Sequence, residues 1–143
     1  EMRQINFEWH IYPELPSING DANGLQQVFI NLLGNAVKFS PAGETITVWA
    51  VPTTGGLLVQ VADNGLGIPP DDLPHLFDRF FRAANATRNE IPGSGVGLYI
   101  VKSVVEALGG KIFVNSVLDK GTTFVVWLPL ATEVSEKSLV GMK

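Results

Sequence analysis

The sequence holds 143 residues, 45% hydrophobic and 17% charged, with ten Lys and Arg against fourteen Asp and Glu for a net charge of −4. That length builds one domain with its own core, and a charged share below the usual figure of about 25% excludes an intrinsically disordered chain. The acidic balance and the lack of a basic block exclude electrostatic capture of nucleic acid or of an acidic membrane surface, and the absence of cysteine excludes disulfides, thiolate metal sites and cysteine nucleophiles.

Residues 5–12 alternate in polarity and predict a first strand, after which PELPSING turns the chain. Asp21 is placed to cap a helix over 22–39, ended by SPAG. ETITVWAVP and GLLVQVAD, separated by TTGG, read as a hairpin. DDLPHLFDRFFRA predicts a short helix that begins with acidic residues, and the polar stretch over 83–94 reads as a mobile, functional loop. Leu98, Val101, Val105 and Leu108 recur at the spacing of one helical face, with Gly109 placed to end that helix. KIFVNSV and TTFVVWLPL then form a second hairpin, and residues 132–143 read as a polar tail or linker beyond a domain over 1–131. Strands on either side of helices, joined by hairpins, predict an α+β class: a two-layer sandwich with one mixed sheet and helices on one face. Trp9, Trp49 and Trp127 fall in strands and read as packing residues.

No stretch approaches the 18 to 20 or so apolar residues of a membrane span, and the start lacks a signal-peptide pattern, so a cytoplasmic location is expected. The chain opens in strand-like sequence and reads as a piece of a longer protein. Its two histidines, His10 and His75, are too few for a histidine metal cluster.

Gln27, Asn31, Asn35 and Lys38 are spaced by four, four and three, so at about 100° per residue they share an arc of roughly 80° on the first helix. Amide oxygens are hard ligands suited to Mg²⁺, and a lysine offers a point charge to phosphate; a solvated face is the alternative. Gly34 lies mid-helix, where glycine is costly, and is explained either by a close approach of another segment or by packing. In VQVADNGLGIPP, Asp63 ends an apolar strand beside Gly65 and Gly67. A carboxylate there can accept a hydrogen bond from an exocyclic amine such as adenine's, or it can simply make an Asx turn. PGSGVGL sets Gly93, Gly95 and Gly97 before a helix, where free N–H groups and the positive helix end favour an anion. Neither loop has the spacing of a P-loop or of a dinucleotide fingerprint.

In this order the segments resemble the ATP-binding catalytic domain of sensor histidine kinases, within the gyrase, chaperone, histidine kinase and mismatch-repair ATPase superfamily. QQVFINLLGNAVKFSPAG is similar to its N box, VADNGLGIP to its first glycine box, LFDRFFRA to its F box, and GSGVGLYIVKSVVEALGGKI to its second glycine box. The resemblance covers about residues 5–130 and implies a Bergerat-type fold with a mobile ATP lid. It implies that Asn35, with Asn31 as a second contact, ligates Mg²⁺, and that Lys38 lies near the phosphates. Asp63 would read the adenine amine, Gly65, Gly67 and Ile68 would shape the base pocket, and Thr122 would support the base through water. Gly93, Ser94, Gly95, Val96, Gly97 and Leu98 would form the phosphate end and lid hinge, and Phe77 and Phe80 would dock the lid. Arg82, with Arg88 in the lid, would reach the γ-phosphate. Ser94 stands where Thr is common and Val96 where Leu is common, and Leu108 replaces a common histidine; each swap keeps size or polarity.

The resemblance further implies ATP and Mg²⁺ as cofactors and phosphoryl transfer to a histidine on a separate dimerisation domain, with Asn31, Lys38 and Arg82 as catalytic groups and a response regulator downstream. Asn31 stands where hydrolysing branches carry a glutamate, and an amide cannot act as a general base, so slow intrinsic hydrolysis is expected. The isolated domain is expected to be monomeric and to dock the acceptor domain through Phe77–Phe81. A non-catalytic binding module, or a serine kinase or ATPase of the same fold, remain as alternatives.

Overall fold

The computed structural model describes residues 4–18, 22–82 and 96–131. The expected Asp21 cap, the lid with Arg88, Gly93, Ser94 and Gly95, and the tail over 132–143 lie outside the described residues. The elements run β1 (Asn6–Ile11), α1 (Ala22–Phe39), β2 (Thr45–Thr53), β3 (Gly56–Asp63), a 3-10 helix (Pro70–His75), α2 (Gly97–Ala107), β4 (Lys111–Val117) and β5 (Gly121–Pro129).

The five strands form one sheet in the order β1-β2-β3-β5-β4. β1 and β2 are parallel, which requires a crossover, and α1 supplies it; the other neighbours are antiparallel. Gly55, at φ +75°, closes the two-residue turn between β2 and β3, and Gly109, at φ +83°, follows α2 in the left-handed conformation that ends helices.

Alternation along the strands sends Ile46, Val48, Val61, Phe124, Val126 and Leu128 to one face. There they meet Val28, Leu32 and Ala36 of α1 and Val101 and Val105 of α2 in a single core. The result is a mixed sheet covered on one face by two helices, as the α+β expectation has it. Burying each such aliphatic side chain contributes about 1.5–3 kcal/mol, enough to hold α1 in place despite Gly34.

Three expectations are corrected. Trp9 and Trp49 are not core residues: they are 56% and 41% exposed. Trp9 lies on edge strand β1 and stacks on Phe7 with ring centroids 5.5 Å apart, and Trp49 stacks on His10 at 4.0 Å. Trp127 packs over the backbone of Gly56. The segment after Pro70 makes a 3-10 turn and not an α-helix, with Pro74 inside it; a ring that removes an N–H and clashes with the preceding turn forbids longer α-helical continuation. Gly34 finds neither of the expected explanations among the described residues, none of whose atoms a Cβ added there would meet within 4 Å.

Candidate functional site

The last inward-facing position of β3 is Asp63, whose register partner on β5 is Thr122. Its Oδ1 accepts two backbone N–H groups, from Gly65 at 2.9 Å and from Thr122 at 3.2 Å. Burial pushes the carboxyl above its ordinary value, and the two N–H bonds pull it back down. Both bonds fall on one oxygen, which leaves Oδ2 to meet a further donor.

The loop after Asp63 is held on two sides by main chain. On one side the Leu66 N–H donates to the Phe39 carbonyl at the end of α1, 3.3 Å away, and a Cβ on Gly65 would run into that same carbonyl. On the other, the Asp119 N–H donates to the Leu66 carbonyl at 2.6 Å, and a Cβ on Gly67, at φ +70°, would strike the Val117 carbonyl. These glycines are therefore demanded by close approach, and Gly67 also by its left-handed backbone. Ile68, next in the chain, is buried in the core.

Ser116 ties this loop to the β4–β5 hairpin. Its Oγ accepts the Ile68 N–H at 2.8 Å, donates to the Gly121 carbonyl at 3.0 Å, and lies 2.8 Å from the hydroxyl of buried Thr122. Sequence reasoning missed Ser116. The signal available was its inward phase on β4 with Ile112 and Val114, where a polar residue must find partners.

Asn31, Asn35 and Lys38 lie on one side of α1, as their spacing predicts. Asn31 meets the start of α2: a Cβ on Gly97 would lie 3.4 Å from its Oδ1, while its buried Nδ2 finds no hydrogen-bond partner among the described residues. Asn35 is one turn, about 6 Å of rise, from the α1 end that holds the glycine loop. Lys38, in the last turn, is exposed. Among the described residues α2 begins after Val96 with no side-chain cap and no acidic residue in its first turn, so its positive end favours an anion. Leu98 packs against the core.

The F-box segment divides into two kinds of aromatic. Phe77 and Phe81 pack against the core, Phe77 edge-on to Phe124 at 6.3 Å. Phe80 is 67% exposed and holds φ +67°, and the Arg79 guanidinium lies 5.7 Å from its ring and 4.9 Å from that of Tyr99 on α2. Lys102 of α2 lies 5.6 Å from the Phe77 ring, so α2 is joined to this segment twice. Arg82, partly buried, is the last described residue before the lid. The histidines stand apart from these groups: His10 bonds Glu8 at 3.0 Å beside Trp49, and His75 bonds Asp78 at 3.2 Å, both on exposed positions. No group of three or more metal-ligating His, Asp or Glu side chains exists among the described residues.

A half-open carboxylate at a strand end, a clamped glycine loop, an amide stripe and an uncapped helix end define a nucleotide-binding sandwich. Residues 20–132 match the profile of the histidine kinase-, DNA gyrase B-, and HSP90-like ATPases, and the chain belongs to that family. Its similarities within the family run to sensor kinases. Drug sensory protein A of Synechocystis sp. is 36% identical over 97% of this chain, which spans only 22% of that protein's length. The solved structure of the mycobacterial sensor histidine kinase MprB matches with a TM-score of 0.75 and 36% identity over 88% of this chain and 82% of that one. Full-length ShkA, solved in complex with AMPPNP, gives a TM-score of 0.75 and 33% identity over 90% of this chain and 26% of its own. The chain is thus an ATP-binding domain of histidine kinase type, with the Bergerat fold expected from its motifs.

Proposed function

We propose that this domain binds ATP with Mg²⁺ and transfers the γ-phosphoryl group to a histidine on a separate dimerisation domain of the parent protein. The observation that carries the reading is Asp63, with Oδ1 committed to two backbone N–H groups and Oδ2 free to accept the adenine amine. Gly65, Gly67 and Ile68 shape the wall beside the base, and Thr122 supports the base. Phosphates lie toward the N-terminus of α2, with Val96, Gly97 and Leu98 at the hinge and Gly93, Ser94, Gly95 and Arg88 completing the lid. Phe77 and Phe80 dock that lid.

The donor set fits Mg²⁺. Asn35 and Asn31 offer hard amide oxygens suited to Mg²⁺, and the Asn31 Nδ2, a donor that finds no partner among the described residues, is a group that a phosphate oxygen would satisfy. When bound, the ion neutralises charge on the phosphate oxygens. Lys38 and Arg82 add point charges at the same end, and the positive end of α2 holds the phosphates in line, so the work of the domain is positioning and charge neutralisation. The acceptor nitrogen attacks the γ-phosphorus, the N–P bond forms, the bond to the β–γ bridging oxygen breaks, and ADP leaves. Asn31 cannot activate water, which favours the protein acceptor over hydrolysis. His10 lies on edge strand β1 and His75 in the 3-10 turn, neither of them the expected context of a phosphoacceptor histidine, which leaves that role to another domain.

The reading extends to a cytoplasmic domain over residues 1–131, monomeric in isolation, with 132–143 as a polar tail or linker, within a parent that signals to a response regulator. Among the described residues no helix is long and apolar enough to cross a membrane. The test is calorimetric titration of the chain and of Asp63→Asn with AMPPNP, with and without Mg²⁺. Mg²⁺-dependent binding to the wild type that weakens about tenfold or more in the variant, the equivalent of one charge-assisted hydrogen bond, supports it. Absence of binding to the wild type overturns it.

A further inference from the structure

Ser116 Oγ sits at the junction of three groups whose hydrogen-bonding roles are mostly fixed. The Ile68 N–H, at 2.8 Å, can only donate, and the Gly121 carbonyl, at 3.0 Å, can only accept. A serine hydroxyl carries one proton. That proton goes to Gly121, so the third contact, 2.8 Å to Thr122 Oγ1, is made with the Thr122 proton. Thr122 is thereby left as an acceptor only, beside an Asp63 carboxylate that is itself an acceptor and receives the Thr122 N–H.

Two acceptors side by side suit a ligand edge bearing an amine with two N–H donors and oppose one bearing a carbonyl. We propose that Ser116 is a specificity-determining residue: by fixing the direction of the Thr122 proton it makes the base end of the site select a 6-amino purine over a 6-oxo purine. The inference rests on the nucleotide-site reading above, and it names a residue that need not touch the nucleotide. Without the Ser116 hydroxyl, Thr122 is free to turn its proton toward the base and donate to a carbonyl.

The experiment compares binding of the β,γ-imido analogues of ATP and ITP to the wild type, Ser116→Ala, Ser116→Thr, Thr122→Val and the double variant Ser116→Ala/Thr122→Val, with melting temperatures alongside. The two ligands share their triphosphate, so their affinity ratio reads the base end alone. The wild type is expected to prefer the ATP analogue. Ser116→Ala should lower that ratio about tenfold, the worth of one neutral hydrogen bond, and Ser116→Thr, which keeps the hydroxyl, should restore it. Thr122→Val should lower the ratio as well, and adding Ser116→Ala to it should change the ratio no further, because both act through one hydroxyl. A merely structural role for Ser116 would weaken both ligands equally and leave the ratio unchanged, and that result overturns the inference while leaving the nucleotide site standing. Binding of neither ligand by the wild type overturns both. If Ser116→Ala does not fold, Ser116→Cys takes its place, with the same two outcomes for the ratio.

Discussion

A carboxylate held in a folded interior is pulled in two directions, and for Asp63 the pull of burial is the larger. Its folded-state pKa lies above its ordinary value of 3.8, so the folded protein binds this proton more tightly than the unfolded chain does. Stability from this group is therefore fully present below about pH 3.8 and is lost as pH rises through the folded value. Asp63→Asn keeps an oxygen to accept the Gly65 and Thr122 N–H groups while removing the charge. It should melt higher than the wild type at pH 7, and the gap should close as the pH falls toward 4; a gap that is constant or reversed in thermal melts across that range would refute the assignment. The same substitution is expected to weaken nucleotide binding, so at this position affinity and stability oppose each other. The turn at Asp63, Gly65 and Gly67 was legible in the sequence, because Asp followed by glycines is Asx-turn chemistry, and the Gly65 N–H bond to Asp63 Oδ1 is that turn. Ser116 was not legible, because its three partners come from residues 68, 121 and 122 and meet it only through the β4–β5 register.

The helices and strands lie close to where periodicity and punctuation put them, since each carries a strong apolar pattern and a Gly or Pro near its end. α1 spans Ala22–Phe39 as expected, yet Gly34 within it is exposed to no described neighbour. A glycine in mid-helix costs backbone entropy with nothing gained from close packing. Gly34→Ala should stabilise the domain by about 0.5–1 kcal/mol, measured by urea unfolding. A loss of stability would mean that another segment does occupy that space. Sequence reading failed for the F-box segment and for two tryptophans for different reasons. Pro74 vetoes a helix that the apolar spacing favours, whereas strand assignment alone says nothing of which strand ends at the sheet edge. Trp9 is exposed on the edge strand β1, a fact of strand order and not of residue type.

For the molecule as a whole, strand order puts β3 beside β5, and this adjacency unites Asp63 with Thr122 from positions 59 residues apart. Motif order pointed to that union; pattern alone could not, since pairing of distant strands is a property of the assembled sheet. The F-box aromatics divide between core and solvent, which changes how docking of an acceptor domain is to be tested. Phe81 packs against the core, so its replacement by Asp would unfold the domain before it reported on docking. Phe80 is exposed and holds a left-handed backbone that aspartate tolerates better than phenylalanine. Phe80→Asp should keep the melting temperature while slowing phosphoryl transfer, at saturating ATP, to an added histidine-bearing dimerisation domain by about tenfold or more. Unchanged transfer in a radiolabelled ATP assay would remove Phe80 from that interface.

The glycine loop has a further consequence for how this domain can vary. Its two flanks are gripped by carbonyls and N–H groups of Phe39, Leu66, Val117 and Asp119, atoms that every residue but proline supplies. The curvature of the loop is thus written in main chain, and the side chains at those four positions are released from maintaining it. Substitutions of Asp119 that tolerate its φ of +65°, asparagine and glycine foremost, should be accepted freely, so this rim can diverge between relatives while the base-binding end keeps its shape.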